Sequence, residues 1–256
     1  WHEERHLGFP VGPDPHHVVP IVPAAVIFDL GRGGNFANRP DASFGHRACD
    51  AARRGDVPMG TVGAGTGALA GGLQGGVGSA AVVLDDGVVV GALAVVNAGG
   101  RLIDARSGLP HFHEGIALRR PSVTERQALA EATRPPTLPL NTTIGVVATT
   151  AALTKAECRK VAAVAHDGLA RAVRPVHAMF DGDTIFTLAT GQHQLATTAA
   201  TGLRRADTRP GVLNGLLAAA ADCFALACTR AVIEAHSIGG APSYRDLCPS
   251  AFRAGV

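Results

Sequence analysis

The chain is poor in aromatic residues. Phe, Trp and Tyr make up 4% of its 256 residues, with one Trp and one Tyr. A core cannot then be built on aromatic clusters, and the abundant Gly (32 residues) and Ala point to closely packed layers. Lysine is almost absent, with Lys155 and Lys160 the only two, and the formal net charge is +2. That balance provides no electrostatic footprint for nucleic acid. No run reaches the roughly 18 uninterrupted apolar residues of a membrane span, so the chain is not expected to act at a membrane. The five cysteines (Cys49, Cys158, Cys223, Cys228, Cys248) are odd in number and lack metal-ligand spacing. They fit buried thiols in a reducing, cytoplasmic setting. What remains, at 46% hydrophobic residues, is enough to bury a sizeable core, and no linker or internal repeat divides it. The expectation is one domain.

The element that organises the chain is Leu138-Pro139-Leu140-Asn141-Thr142-Thr143-Ile144-Gly145-Val146-Val147-Ala148. A proline-containing approach over Arg134–Pro139 delivers an Asn-Thr bond into an apolar run that reads as a core strand, Ile144–Thr150. The residue types alone also fit a turn followed by a β-favouring threonine pair. Before it, Val18–Leu30 is apolar but contains Pro20 and Pro23, which confine a strand to about Ala24–Leu30. Gly31–Pro40 is a glycine-rich loop, and Phe44–Arg54 a short helix. Gly63-Ala64-Gly65-Thr66-Gly67-Ala68 matches a dinucleotide fingerprint, with Asp85 and Asp86 at ribose distance. That reading needs a helix to open at the third position. The glycines at 71, 72, 75, 76 and 78 oppose one, each by about 1 kcal/mol relative to Ala.

Ser79–Leu84 and Val88–Val96 read as a hairpin turning at Asp85-Asp86-Gly87. Asn97 ends the second strand, where a side-chain amide can cap a turn or donate to an oxyanion. His111 and His113 lie on one face with Glu114 beside them, but no third metal ligand is local. Pro121–Thr133 is an exposed helix. Thr154-Lys155-Ala156-Glu157 is a capping box opening a helix to about Val173, with Cys158, Val161, Val164, Ala165 and Leu169 on its apolar stripe and His166 and Asp167 as surface or helix-end groups. Pro175–Leu188 reads as two strands around Asp181-Gly182-Asp183-Thr184. This is either hairpin chemistry or two carboxylates aimed at one centre, with His177 nearby. Gln192–Pro210 is a polar loop, Gly211–His236 a long buried helix, and Ser237–Val256 a tail.

Taken in order, Val22–Leu30, Gly63–Ala68, Val95-Val96-Asn97, Asn141–Val146, His166–Arg171 and Asp181–Thr184 resemble one family. It is the self-processing aminopeptidase/amidase family that includes the L-aminopeptidase/D-esterase DmpA, the β-peptidyl aminopeptidases and the nylon-oligomer endohydrolase. The resemblance covers nearly the whole chain. It implies an α+β fold, a four-layer αββα sandwich of N-terminal-nucleophile-hydrolase type. It also implies a self-cut at Asn141-Thr142, giving an α fragment that ends at Asn141 and a β fragment that runs from Thr142 to Val256. Thr142 would be the nucleophile and Asn97 the oxyanion donor, while Asp181 and Asp183 would orient the nucleophile and move protons.

Members carry a further segment of about 100 residues before the point matching Trp1, so a portion of the domain is expected to precede it. Two positions depart from the family. Phe28 stands where some members have an active-site tyrosine, and a family lysine is replaced near Gly72–Gln74, leaving Gln74 or a water to substitute. Phe28, Gln74 and Thr143 are the candidate substrate contacts. No metal or other cofactor is implied. The implied partners are a small peptide or amide-oligomer substrate and further copies of the chain, as tetramers of αβ units. Two other readings stay open: a small-molecule or nucleotide-binding domain on the glycine-rich stretch, and an inactive structural relative.

Once cut, Thr142 would carry both a hydroxyl nucleophile and an α-amine of ordinary pKa about 7.7–8.0, near the working range of a general base.

Overall fold

The computed structural model describes residues 1–133, 140–195 and 208–252. The chain begins with two short antiparallel strands, β1 (Phe9–Pro10) and β2 (Val18–Val19), and helix α1 (Ala42–Ala51). Asp41 caps that helix through Ser43. No residue before Gly60 is buried. Ala24–Leu30 is not a strand. Val26 is 80% exposed, the run pairs with no sheet edge among the described residues, and Pro20 and Pro23 offer no N–H to a partner strand.

From Gly60 onward the chain is ordered around one sheet. A small hairpin, β3 (Leu69–Ala70) with β4 (Leu73–Gln74), turns at Gly71 and Gly72, both at positive φ. β5 (Gly76–Val83) and β6 (Val89–Val96) then form the hairpin expected at Asp85-Asp86-Gly87, with Gly87 at φ +82°. After α2 (Val123–Ala132), strand β7 (Ile144–Ala151) pairs antiparallel to β6, and β8 (Thr184–His193) pairs parallel to β7. The sheet order is β5-β6-β7-β8. A parallel partner requires a crossover, which α3 (Lys155–Ala172) supplies. That is why Pro175–Thr184 is not the first arm of a hairpin. The segment is a loop returning from α3, and Asp181-Gly182-Asp183 lies at the entrance to β8 rather than at a turn between two strands.

α3 opens on the expected box, with Thr154 accepting from the Glu157 N–H and Glu157 accepting from the Thr154 N–H at 2.7 Å. Together with α4 (Arg209–Ile233) it covers one face of the sheet. Strands β6 and β7 alternate strictly, and their buried positions (Val90, Ala92, Ala94, Val96; Gly145, Val147, Thr149, Ala151) face those helices. The fit is close enough that a Cβ on Gly145 would sit 2.1 Å from the Phe224 ring, and one on Gly78 2.0 Å from the Ala227 carbonyl oxygen. The opposite face carries the half-buried Leu93, Val95, Ile144, Val146 and Phe186. It has the apolar character required for a second sheet in a four-layer sandwich.

By length and composition α4 could cross a membrane, with mean hydropathy 1.8 over its most apolar stretch; 72% of that stretch is buried inside the protein, so it is here a core helix. The last segment is not a loose tail. Helix α5 (Tyr244–Leu247) places Tyr244 fully in the core, its hydroxyl donating to the Gly108 carbonyl at 2.7 Å. The expected approach over Arg134–Pro139 lies outside the described residues. So does most of the expected polar loop after Gln192, although β8 continues to His193.

Candidate active site

The start of β7 and the start of β8 lie side by side, because parallel pairing puts Ile144 opposite Thr184. The residues just before each strand are therefore neighbours, and Asn141 bridges Asp181. The Asn141-Thr142 bond is fixed from both sides. Asn141 N–H donates to the Phe180 carbonyl at 3.2 Å, and Thr142 N–H donates to the backbone carbonyl of Asn97 at 2.7 Å. The Asn141 carbonyl oxygen accepts two hydrogen bonds, one from Gly182 N–H at 3.0 Å and one from the Thr142 hydroxyl at 2.6 Å. The nucleophile candidate thus rests on the carbonyl it would attack. A backbone N–H already points at the oxygen on which negative charge would develop. Gly182 has a reason to be glycine, since a Cβ there would crowd Thr142 Oγ1 at 3.1 Å.

The two carboxylates flanking Gly182 are held differently. Asp183 is nearly buried. Its Oδ1 accepts from Thr143 N–H at 2.8 Å, and its Oδ2 lies 2.7 Å from His177 Nδ1. Both oxygens are therefore tied. Asp181 accepts from Ala178 N–H at 3.0 Å, and its Oδ1 lies against Gly99, near the Asn141 amide. Burial, reinforced by the charge of Asp183, pushes the Asp181 carboxyl above the usual carboxylate value, against the opposing hydrogen bonds from the Ala178 and Gly99 N–H groups. A raised pKa makes Asp181 a better proton acceptor than an ordinary carboxylate.

Asn97 is completely buried, but its amide does not reach the Asn141 carbonyl. Nδ2 donates to the Phe28 carbonyl at 3.2 Å, while Oδ1 accepts from Leu69 N–H at 3.1 Å and from Arg32 Nη1 at 2.5 Å. The backbone donor to the Asn141 carbonyl is Gly182, and Asn97 ties Phe28, Leu69 and Arg32 around it.

Gln74 does not replace a lysine at the site. It is 1% exposed, and its Nε2 donates to the carbonyls of Ala68 at 2.9 Å and Thr66 at 3.0 Å, stapling the glycine-rich loop. Thr143 is likewise fully buried and presents no surface to a substrate; its Oγ1 has no hydrogen-bond partner among the described residues. Phe28 joins the site through its carbonyl.

Residues 63–65 form a single 3-10 turn followed by the β3–β4 hairpin. The α-helix that a dinucleotide site needs therefore does not open there. Among the described residues no group of three or more His, Cys, Asp or Glu side chains could hold a metal.

Sequence reasoning missed two contributors, Arg32 and His166, and named His177 only as a neighbour of the two carboxylates. Arg32, on the glycine-rich loop, reaches both Asn97 and the Leu140 carbonyl, the latter through Nη2 at 2.9 Å. It also lines a cleft of about 280 Å³ with Asp29, Asn35, Asn38, Thr66 and Ile238. His177, held at φ +53°, ties Asp183. His166, read as a surface group on α3, places its ring 5.0 Å from that of His177. Burial, with the neighbouring His177 charge, lowers its pKa. The one available signal was His177 in the approach to Asp181-Gly182-Asp183. Nothing local to Arg32 pointed 65 residues ahead to Asn97.

A hydroxyl set against its own preceding carbonyl at the start of a sheet strand, on an α+β fold, points to a class, and the comparisons name it. The model of peptidase family S58 matches residues 7–245, and the chain belongs to that family. It is 48% identical over 259 aligned residues to an uncharacterized aminopeptidase of Mycobacterium tuberculosis, covering 98% of this chain and 73% of that one. It is 33% identical over 187 residues to a 6-aminohexanoate-oligomer endohydrolase of a Kocuria species, covering 70% of this chain and 52% of the relative.

Among solved structures, a β-aminopeptidase from a Burkholderia species aligns with a TM-score of 0.58 at 25% identity, covering 81% of this chain and 56% of the other. The L-aminopeptidase D-Ala-esterase/amidase of Ochrobactrum anthropi, described as a variant of the Ntn-hydrolase fold, aligns with a TM-score of 0.55 at 25% identity, over 79% and 52% of the two chains. The fold is of that Ntn-hydrolase type. The chain spans about half the length of these solved structures.

Proposed function

We propose that the protein is an amide hydrolase that activates itself by cutting Asn141-Thr142 and then works through Thr142. The observation that carries this reading is the Asn141 carbonyl oxygen, held at once by the Thr142 hydroxyl at 2.6 Å and the Gly182 N–H at 3.0 Å. In the first step Thr142 Oγ attacks the Asn141 carbonyl carbon through a five-membered ring. Asp181 takes the hydroxyl proton, and Gly182 N–H stabilises the oxyanion. The C–N bond breaks, the proton passes to the new Thr142 amine, and Asn141 is left as an ester on Thr142. Water then opens the ester, releasing Asn141 as a carboxylate and restoring the hydroxyl.

In the second stage the Thr142 α-amine, with an ordinary pKa near 7.7–8.0, serves as general base for attack on a substrate amide. Asp183, fixed by Thr143 N–H and His177, positions the strand start that carries Thr142. Asn97, released from some of its present bonding by the cut, is assigned to the oxyanion.

The substrate class is a small peptide or amide oligomer, in keeping with the activities for which the relatives are named. The working form is proposed as a multimer of αβ units, as the family resemblance implies. All five cysteines are free, which fits a cytoplasmic setting.

Thr142→Ala tests the reading. The variant should run as one band on a denaturing gel and hydrolyse no amide, whereas the parent gives two bands. An intact Thr142→Ala chain with parental activity would overturn it.

A further inference from the structure

Among the described residues, Arg32 is the cation whose side chain bridges the cleft and the bond to be cut. Its loop is braced: Gly33 sits at φ +74° against Gly239, where a Cβ would come within 2.6 Å of the Gly239 Cα. From that support the guanidinium reaches Asn97 Oδ1 through Nη1 at 2.5 Å and the Leu140 carbonyl through Nη2 at 2.9 Å. Leu140 is the residue before Asn141, so the carbonyl held is the one immediately preceding the acyl unit that is transferred to Thr142. The cleft of about 280 Å³ opens from the same side chain.

Resting on the reading of Thr142 as nucleophile, we propose that Arg32 is the acyl-side subsite. It holds the carbonyl one unit before the scissile bond, first in the chain's own Leu140 and afterwards in substrate, and so makes the protein an endo-acting amide hydrolase. The geometry of the intact chain shows what a substrate must match. Its acyl unit takes the place of Asn141, presenting an N–H to the Phe180 carbonyl, which accepts from Asn141 at 3.2 Å. Its preceding carbonyl takes the place of Leu140 and accepts from the guanidinium. A charge-assisted bond of this kind is about twice as strong as a neutral one.

A substrate with a free α-amine lacks that carbonyl and brings a positive charge next to the guanidinium. Asp29 lines the same cleft, its carboxylate packed over Gly67, and offsets some of that repulsion.

The pair asparagine 4-nitroanilide and N-acetyl-asparagine 4-nitroanilide isolates the effect, because the acetyl group adds the preceding carbonyl and removes the charge. The parent should favour the acetylated compound in kcat/KM by about tenfold or more, the scale of one hydrogen bond to a charged group. Arg32→Met should cut the ratio between the two compounds by about tenfold and slow the self-cut on a denaturing gel by a similar factor. Arg32→Lys, which keeps the charge but not the fork, should recover some of both. This variant carries the test if Arg32→Met does not accumulate as folded protein. A parent that prefers the free amine, or a ratio unchanged in both variants while the parent remains active, overturns the subsite and leaves Thr142 in place. A parent that neither cuts itself nor hydrolyses either anilide overturns the underlying reading, and the subsite with it.

Discussion

Residues 1–59 and residues 60–252 both carry apolar runs, yet only the second stretch has a core. The first carries Val18–Leu30, a largely apolar run, and leaves Val22 and Val26 at 62% and 80% exposure. The second buries every other residue of β6 and β7 under two helices. The difference lies in partners. β6 has a neighbour on each side, whereas 24–30 has none among the described residues and enters through two prolines. Apolarity permits burial, but a hydrogen-bonding edge decides where it happens. The first stretch still reaches the candidate site through Arg32 and the Phe28 carbonyl, and under the proposal above it would supply recognition and the packed region chemistry.

The largest effect expected on the packed side is chemical. Asp181→Asn should slow self-cutting by about 10² or more, the range attributed to a positioned general base. For the parent, the cutting rate should rise with pH through a midpoint above the ordinary carboxylate value, because burial raises the Asp181 pKa. A time course on gels at several pH values measures both. A parental rate in the variant would transfer the base role to another group.

The next effect separates the regions by packing. Gly145→Val should lower stability by about 3 kcal/mol or prevent folding, since its Cβ would lie 2.1 Å from the Phe224 ring. Val26→Ser, in the exposed run, should move stability by no more than about 0.5 kcal/mol. Thermal melts of the two variants side by side would break the comparison if Val26→Ser were the more damaging.

The smallest effect concerns the α3 crossover. Glu157 closes the capping box and pairs with Arg209 at 2.7 Å, and these bonds lower its pKa to about 2. A lowered folded-state pKa means that its contribution is present above the unfolded value of 4.5 and is lost as pH falls toward about 2. Glu157→Ala should cost about 1 kcal/mol at neutral pH, the usual value for a cap and a solvent-screened ion pair. The gap to the parent should close as denaturation is followed down through that acid window. A gap that stayed constant with pH would assign the loss to something other than the carboxylate.

Much of the packed region was legible from local pattern. Asp85-Asp86-Gly87 specified its hairpin, Thr154 and Glu157 opened α3, and the apolar run of Ile144–Thr150 marked a core strand, which the structure buries on one face. The site was legible only in pieces. Asn97, Asp181 and Asp183 could be named from their surroundings, but what each one touches depends on parallel pairing of β7 with β8, and that pairing is fixed by α3 and not by residues near Asp181. Of the two readings of Asp181-Gly182, the hairpin fails for this reason: the pair delivers an N–H to the Asn141 carbonyl instead of joining two strands. Gln74 was misassigned because an amide in a glycine-rich loop looks the same in sequence whether it faces the cleft or the loop's own carbonyls. Arg32 was invisible because its partners lie 65 and 108 residues away.

Intact-mass spectrometry of the purified protein addresses the central claim most directly. Two species are expected, their masses differing in sum from the uncut chain by one water, with the smaller one reading Thr-Thr-Ile-Gly from its amino end. A single uncut species that nevertheless hydrolyses amides would contradict it.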